Sequence, residues 1–212
     1  MEGSRSERSV QGREPESMKK LLCAVCACIL IGCSTDPVPD EPQGCDTDCE
    51  VIIGEDSDMS GYTELGEDHV FVDTSVQEML RDMENGQTFV VYFGFVNCPW
   101  CQEAVPVLNE AAKDAGYRVG YINTRPTEDI HSNIEIPDYD LLTEAVGEFF
   151  PLDDEGIPHL YTPFVFFIRD GKVQEVHQGT VEGHDAHERR MTAEEKEELG
   201  RIYDQCFETL KQ

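Results

Sequence analysis

The chain has 212 residues, of which 44 are Asp or Glu and 16 are Lys or Arg, for a formal net charge of −28. Phosphate binding needs clustered Lys and Arg, so this balance excludes nucleic acid as a partner and leaves a solvated acidic surface. The length suits one domain with appendages.

Residues 1–17 are polar and carry no apolar period. Met18-Lys19-Lys20 and the apolar run 21–32 then have the plan of a secretory signal, with a core too short to span a bilayer as a mature helix. On that plan Met18 is an alternative start and residues 1–17 an extension. The segment ends Leu30-Ile31-Gly32-Cys33, which resembles the lipobox of bacterial lipoproteins. The resemblance implies cleavage before Cys33, acylation of that residue, and an anchor on the extracytoplasmic face of the bacterial cell membrane. An ordinary signal peptide that contains a cysteine is the plainer alternative. Gly32 and the polar Ser34-Thr35-Asp36 favour the lipoprotein. Cys23, Cys26 and Cys28 leave with the signal, and the remaining thiols enter a compartment that permits disulfides.

Residues 33–66, rich in Pro, Asp, Glu and Gly, read as a flexible acidic tether between the signal region 1–32 and a domain at 67–212. Cys45 and Cys49 fall in the tether, as a second redox pair for Cys98 or as a local structural disulfide or free thiols. Asp46 and Asp48 oppose thiolate formation and favour the second reading.

The domain opens with a strand over 69–73, and Ser75-Val76-Gln77-Glu78 is a capping box for a helix to about residue 84, stopped at Asn85-Gly86. The β-branched and aromatic run 88–96 predicts a buried central strand. It breaks at Asn97 into a helix whose first turn holds Cys98-Pro99-Trp100-Cys101 and which runs through Val105, Leu108 and Ala112 to Gly116. A strand over 117–123, a polar connection over 124–138 and a helix over 139–150 follow, with Leu141, Leu142, Val146 and Phe149 on its apolar side. Thr162-Pro163 stands before an apolar strand, 164–168, and Asp170-Gly171 turns the chain into a last strand, 172–178. A second capping box, Thr192 to Glu195, opens a final helix carrying Leu199, Ile202, Cys206 and Leu210 inward. The βαβα order implies parallel pairing at the centre of the sheet. Cys206 reads as a core thiol.

A thiolate at a helix N-terminus meets unpaired N–H groups and the positive end of the macrodipole, so the Cys98 pKa is expected to fall. Cys101, three residues on, shares its face and can close a disulfide with it. That is a dithiol site in which Cys98 attacks and Cys101 resolves. One Cys-x-x-Cys also suits half a zinc site, but no second one follows. His184 and His187, with His159 or His177, could add metal ligands. The polarity of residues 179–190 favours a solvated loop instead, so no metal is assigned. Trp100 offers a peptide an apolar face or simply covers the motif.

The strand, Cys98-Pro99-Trp100-Cys101, the helix with Pro106 five residues on, and the distal Tyr161-Thr162-Pro163 together resemble the thioredoxin-like superfamily over residues 70–210. The resemblance implies an α/β thioredoxin fold, a central mixed β-sheet flanked by helices. It makes Thr162-Pro163 a cis-proline loop that holds substrate backbone, and Pro99 and Trp100 residues that tune the thiolate. It implies no cofactor beyond the redox-active Cys98–Cys101 disulfide, cysteine-containing protein or peptide substrates, and a redox-recycling partner. One position departs. Thioredoxins carry a buried acid six residues before the first cysteine, and here that residue is Tyr92. Glu103 could take part of that role; an exposed first-turn carboxylate facing the helix dipole is the favoured reading.

More narrowly, Tyr92-Phe93-Gly94, Cys98-Pro99-Trp100-Cys101, Val105-Pro106 and the lipoprotein form resemble the bacteriocin-transport accessory group of Gram-positive bacteria. That implies oxidation or isomerisation of disulfides in secreted peptides. A reductase of the same fold, as before haem attachment to an apocytochrome, is a second reading. A non-enzymatic copper or zinc module built on Cys98, Cys101 and a histidine is a third. Residues 179–190 have no counterpart in a minimal thioredoxin and read as a substrate- or partner-specific insertion.

Overall fold

The computed structural model describes residues 54–126 and 136–211. The signal segment, Cys33, Cys45, Cys49 and most of the polar connection before residue 136 lie outside them. In chain order the elements are β1 (Phe71–Asp73), α1 (Val76–Glu84), β2 (Phe89–Gly94), α2 (Pro99–Ala115), β3 (Val119–Asn123), α3 (Tyr139–Val146), β4 (Phe164–Arg169), β5 (Lys172–Gln178) and α4 (Ala193–Glu208). The strands lie in the order β1-β3-β2-β4-β5, with β1, β3 and β2 parallel and β4 and β5 antiparallel to their neighbours. This order and these directions make it an α/β thioredoxin fold.

β2 is buried along its whole length because helices cover both faces of the sheet. Its side chains alternate. Val90 and Tyr92 enter a core with residues of α2 and α4, while Phe89, Val91 and Phe93 enter a second core with residues of α1 and α3. Val165 and Phe167 of β4 repeat the division against Phe164, Phe166 and Ile168. Each such side chain contributes about 1.5–3 kcal/mol on burial, so the two cores fix the register of the central strands. Asp170 (φ 52°) and Gly171 (φ 71°) make the β4–β5 turn, and Gly171 N–H bonds the Gln87 carbonyl at 2.9 Å. A Cβ there would run into the Met83 carbonyl, so glycine is required.

Local signals explain the helix ends. Both halves of the Thr192–Glu195 box are formed. At α1 only half is: Ser75 Oγ accepts from Glu78 N–H at 3.2 Å, but the Glu78 carboxylate takes the Ser75 hydroxyl. α2 contains Pro106 and ends on Gly116 in the left-handed region.

Two expectations are corrected here. Residues 54–66, read as tether, are packed structure. Asp56 bridges Val72, Asp73 N–H bonds the Glu55 carbonyl, and Met59 and Tyr62 are buried in the α2/α4 core, so the domain begins before residue 67. The segment covers β1, an edge strand that would otherwise present unpaired backbone groups. In α3, Leu141 is 47% exposed. Leu142 and Val146, four apart, face the sheet, and Leu141 is one 100° step away from them. The helix stops at Val146; Phe149 falls in a 3-10 turn, Gly147–Phe149, and still packs against the α1/α3 core as expected, beside the buried Phe150. Among the described residues no helix is long and apolar enough to cross a membrane.

Candidate active site

β2 ends at Gly94, and the chain turns through Phe95–Asn97 to Cys98, which is the N-cap of α2 rather than part of its first turn. Pro99 opens the helix, where its missing N–H has no intrahelical partner. The Cys98 sulfur occupies the place of a capping oxygen and accepts from Cys101 N–H at 3.3 Å. Across from it lies the loop before β4, where the Thr162–Pro163 peptide bond is cis. The Thr162 hydroxyl donates to Cys98 Sγ at 3.7 Å, and the Cys98 thiol reaches the Thr162 carbonyl at 3.8 Å. Because β4 pairs with β2, the fold brings residues 64 positions apart onto one sulfur.

The two thiols are free and carry opposite perturbations. Hydrogen bonding from the Cys101 thiol, against the opposing effect of burial, lowers Cys98 to about 7, with further help from the backbone N–H of Cys101, the Thr162 hydroxyl and the backbone of Trp100. Burial pushes Cys101 well above the ordinary thiol range, and the adjacent Cys98 adds to that. Cys98 is 4% exposed and Cys101 0%. Cys98 is thus the thiol that ionises nearer neutrality, while Cys101 stays protonated.

Behind Cys101 stands a cluster of tyrosines. Burial raises Cys101, and the hydroxyl of Tyr92, at the position of the expected acid, acts on that thiol in the opposite direction. The Tyr92 oxygen lies 3.2 Å from that of Tyr62, whose hydroxyl also reaches Tyr121 at 3.5 Å. The Tyr92 and Tyr121 rings are stacked with centroids 5.5 Å apart. Gly94 leaves room for this: a Cβ there would collide with the Tyr92 hydroxyl. Burial raises all three phenols, Tyr121 to about 12 and Tyr62 and Tyr92 beyond any physiological range.

Outside the sulfur lies a cleft of about 490 Å³ whose lining includes Cys98, Pro99, Trp100, Tyr161, Thr162 and His187. The His187 ring stands edge-on to Trp100 at 4.6 Å. Sequence reasoning missed this contact because 87 positions separate the two residues and His187 sits in a polar stretch. It also missed Tyr62, hidden in a segment of tether-like composition.

Two further readings are corrected. Residues 179–190 are not simply solvated, because His184 is buried. Its Nε2 donates to the Arg189 carbonyl at 3.0 Å and its Nδ1 lies 2.7 Å from the Thr180 hydroxyl. Glu103 is not exposed: at 4% exposure it accepts from Arg190 Nε at 2.6 Å and from Met191 N–H at 3.1 Å. Arg190 also reaches Glu64 at 2.8 Å, so one carboxylate of α2 ties the His187 loop and the residue 54–66 segment to the active-site helix. Cys206 lies in the core, as expected, raised by burial to about 11. Among the described residues no group of three or more His, Cys, Asp or Glu is arranged to hold a metal ion.

No protein-family model matches the sequence, and comparison with curated proteins finds no match. Among solved structures, thioredoxin O2 from Arabidopsis thaliana in its oxidized state is 18% identical, with a TM-score of 0.33, covering 57% of this chain and 88% of that one. Thioredoxin O1 from the same plant, also oxidized, is 18% identical with a TM-score of 0.32, covering 56% and 89%. The fold assignment rests on strand order and direction.

Proposed function

We propose that this chain is a thiol–disulfide oxidoreductase for cysteines of secreted or surface proteins and peptides, held on the extracytoplasmic face of the cell membrane by a lipid on Cys33. The observation that carries the reading is the asymmetry of Cys98 and Cys101 beside Thr162. One sulfur is ionised near neutral pH and opens on a cleft; the other is buried and protonated behind it. The Cys98 thiolate attacks one sulfur of a substrate disulfide, the substrate S–S bond breaks, and the departing sulfur leaves as a thiolate. Cys101 then attacks Cys98 in the mixed disulfide, closing Cys98–Cys101 and releasing the second substrate sulfur. Run backwards, the same steps oxidise a dithiol, and stopped after the first they permit isomerisation. A recycling partner resets the pair.

An attacking thiol is most effective when its pKa lies near ambient pH, which favours exchange and isomerisation over one-way oxidation. Strong oxidants of this chemistry hold their thiolate far lower, at about 3.5. The same value near 7 is that of reducing thioredoxins, about 7, and supports a reductase as the second reading. The lipid anchor rests on Gly32-Cys33 and the preceding apolar run.

The expected outcome is that the full chain, reduced and solubilised in detergent, reactivates a peptide with scrambled disulfides. The Cys101→Ser variant accumulates a mixed disulfide through Cys98. A Cys98→Ser variant as active as the parent would end the proposal. For the anchor, Cys33→Ala should move the protein from the membrane to the soluble fraction, and continued membrane retention would argue against lipidation.

A further inference from the structure

A resolving thiol has to be served in two states, as a buried S–H before it attacks and as a thiolate when it does. A thiolate in a water-free core needs a hydrogen-bond donor. No carboxylate is among the groups that act most strongly on Cys101, which are Cys98, Tyr92 and the backbone of Phe95. Tyr92 of β2 lies in the same buried core as Cys101 and is backed at 3.2 Å by Tyr62, itself 3.5 Å from Tyr121. The charged and titratable neighbours of this cluster are Cys98 at the head of α2, Tyr203 from α4, and Asp73 from β1, which acts on Tyr121.

We propose that Tyr92 is a catalytic residue of the resolving step, its neutral hydroxyl donating a hydrogen bond to the Cys101 thiolate, with Tyr62 as the positioning residue that lets it turn. This rests on the oxidoreductase reading. The three oxygens allow two proton orders. With Cys98 held in the mixed disulfide, and so no longer a thiolate accepting the Cys101 S–H, the protonated Cys101 turns that S–H to Tyr92, Tyr92 donates to Tyr62, and Tyr62 donates to Tyr121. With Cys101 ionised, Tyr62 donates to Tyr92 at the shorter distance, and Tyr92 donates to the sulfur. Neither order leaves the sulfur without a partner, and neither requires a buried carboxylate. A phenol whose proton is held this firmly cannot act as a base near neutrality, so its contribution is donation. Gly94 supports the assignment from a separate direction, since any larger residue would take the space of the Tyr92 hydroxyl.

In the resolving step the Cys101 thiolate forms an S–S bond to Cys98 while the Cys98–substrate S–S bond breaks, and the electron pair leaves on the substrate sulfur. The proton lost by Cys101 is balanced by the one the substrate thiolate takes up. No other oxidant or reductant is involved.

The test is stopped-flow exchange of the reduced full chain with a peptide disulfide bearing a chromophoric first leaving group, so that attack by Cys98 and resolution by Cys101 are read separately. Tyr92→Phe keeps the ring stack and removes the hydroxyl. It should leave the first step unchanged and slow the second by roughly ten- to a hundredfold, the effect of one hydrogen bond to a charged group. The pH at half-maximal resolution should also rise. Tyr62→Phe should slow the second step less. Tyr203→Phe, which removes a buried hydroxyl without a partner among the described residues, should change neither. Parent-like resolution in Tyr92→Phe, or equal slowing of both steps, overturns the role of Tyr92 while leaving the oxidoreductase standing. If the parent itself shows no second step, it is the oxidoreductase reading that fails.

Discussion

At the scale of residues, two identical side chains three positions apart are driven in opposite directions by their surroundings. Cys98 meets the Cys101 thiol, backbone N–H groups and the Thr162 hydroxyl; Cys101 meets a dry core. Because Cys98 falls from an ordinary 9.0 to about 7, alkylation of the reduced protein should rise with pH to a half-point near 7 and be lost in Cys98→Ser. The same shift has a consequence for stability. A folded pKa below the unfolded one contributes stability that is complete above about 9 and disappears as the pH falls to about 7. The unfolding free energy of the parent relative to Cys98→Ser should therefore grow between those limits, and a flat difference would contradict the shift. The pair was legible in the sequence because spacing, proline and the preceding strand are all local. Glu103 was misread because its partner, Arg190, is 87 residues away, and nothing within a turn of Glu103 tells a buried carboxylate from an exposed one.

At the scale of elements, most strands and helices were legible because β2, β4 and α4 carry strong periods and the caps are chemically explicit. What failed depended on tertiary covering. The segment 54–66 has the composition of a linker, yet Met59 and Tyr62 at three-residue spacing are enough to dock it on the α2/α4 core. Residues 179–190 are polar, yet His184 holds the loop from within and Glu103 holds its end. Removing that carboxylate in Glu103→Ala strands the Met191 N–H and releases Arg190. It should lower stability by about 2–3 kcal/mol, measured by urea unfolding. Glu103→Gln, which keeps an acceptor for Met191, should lose less. Equal losses in the two variants would place the effect in packing rather than hydrogen bonding. The loop also carries His187 onto Trp100, so Glu103 sets one wall of the cleft without touching it.

For the whole molecule, the sheet brings four distant parts of the chain to one pair of sulfurs: the N-terminal segment through Tyr62, β2 through Tyr92, the loop before β4 through Thr162, and α2 itself. The thioredoxin topology was readable from the order of elements and the distal Thr-Pro. The proposed direction of electron flow was not, because it depends on the difference between two thiol environments that exists only once the chain has folded. The most direct test is the reduction potential of Cys98–Cys101 in the full chain, equilibrated in glutathione buffers and read by alkylation and mass analysis. The expected result is a reversible two-electron couple at about −180 mV, the range of exchange and isomerisation. A value near about −270 mV would transfer the assignment to the reductase. No reversible couple between these two sulfurs would contradict the account.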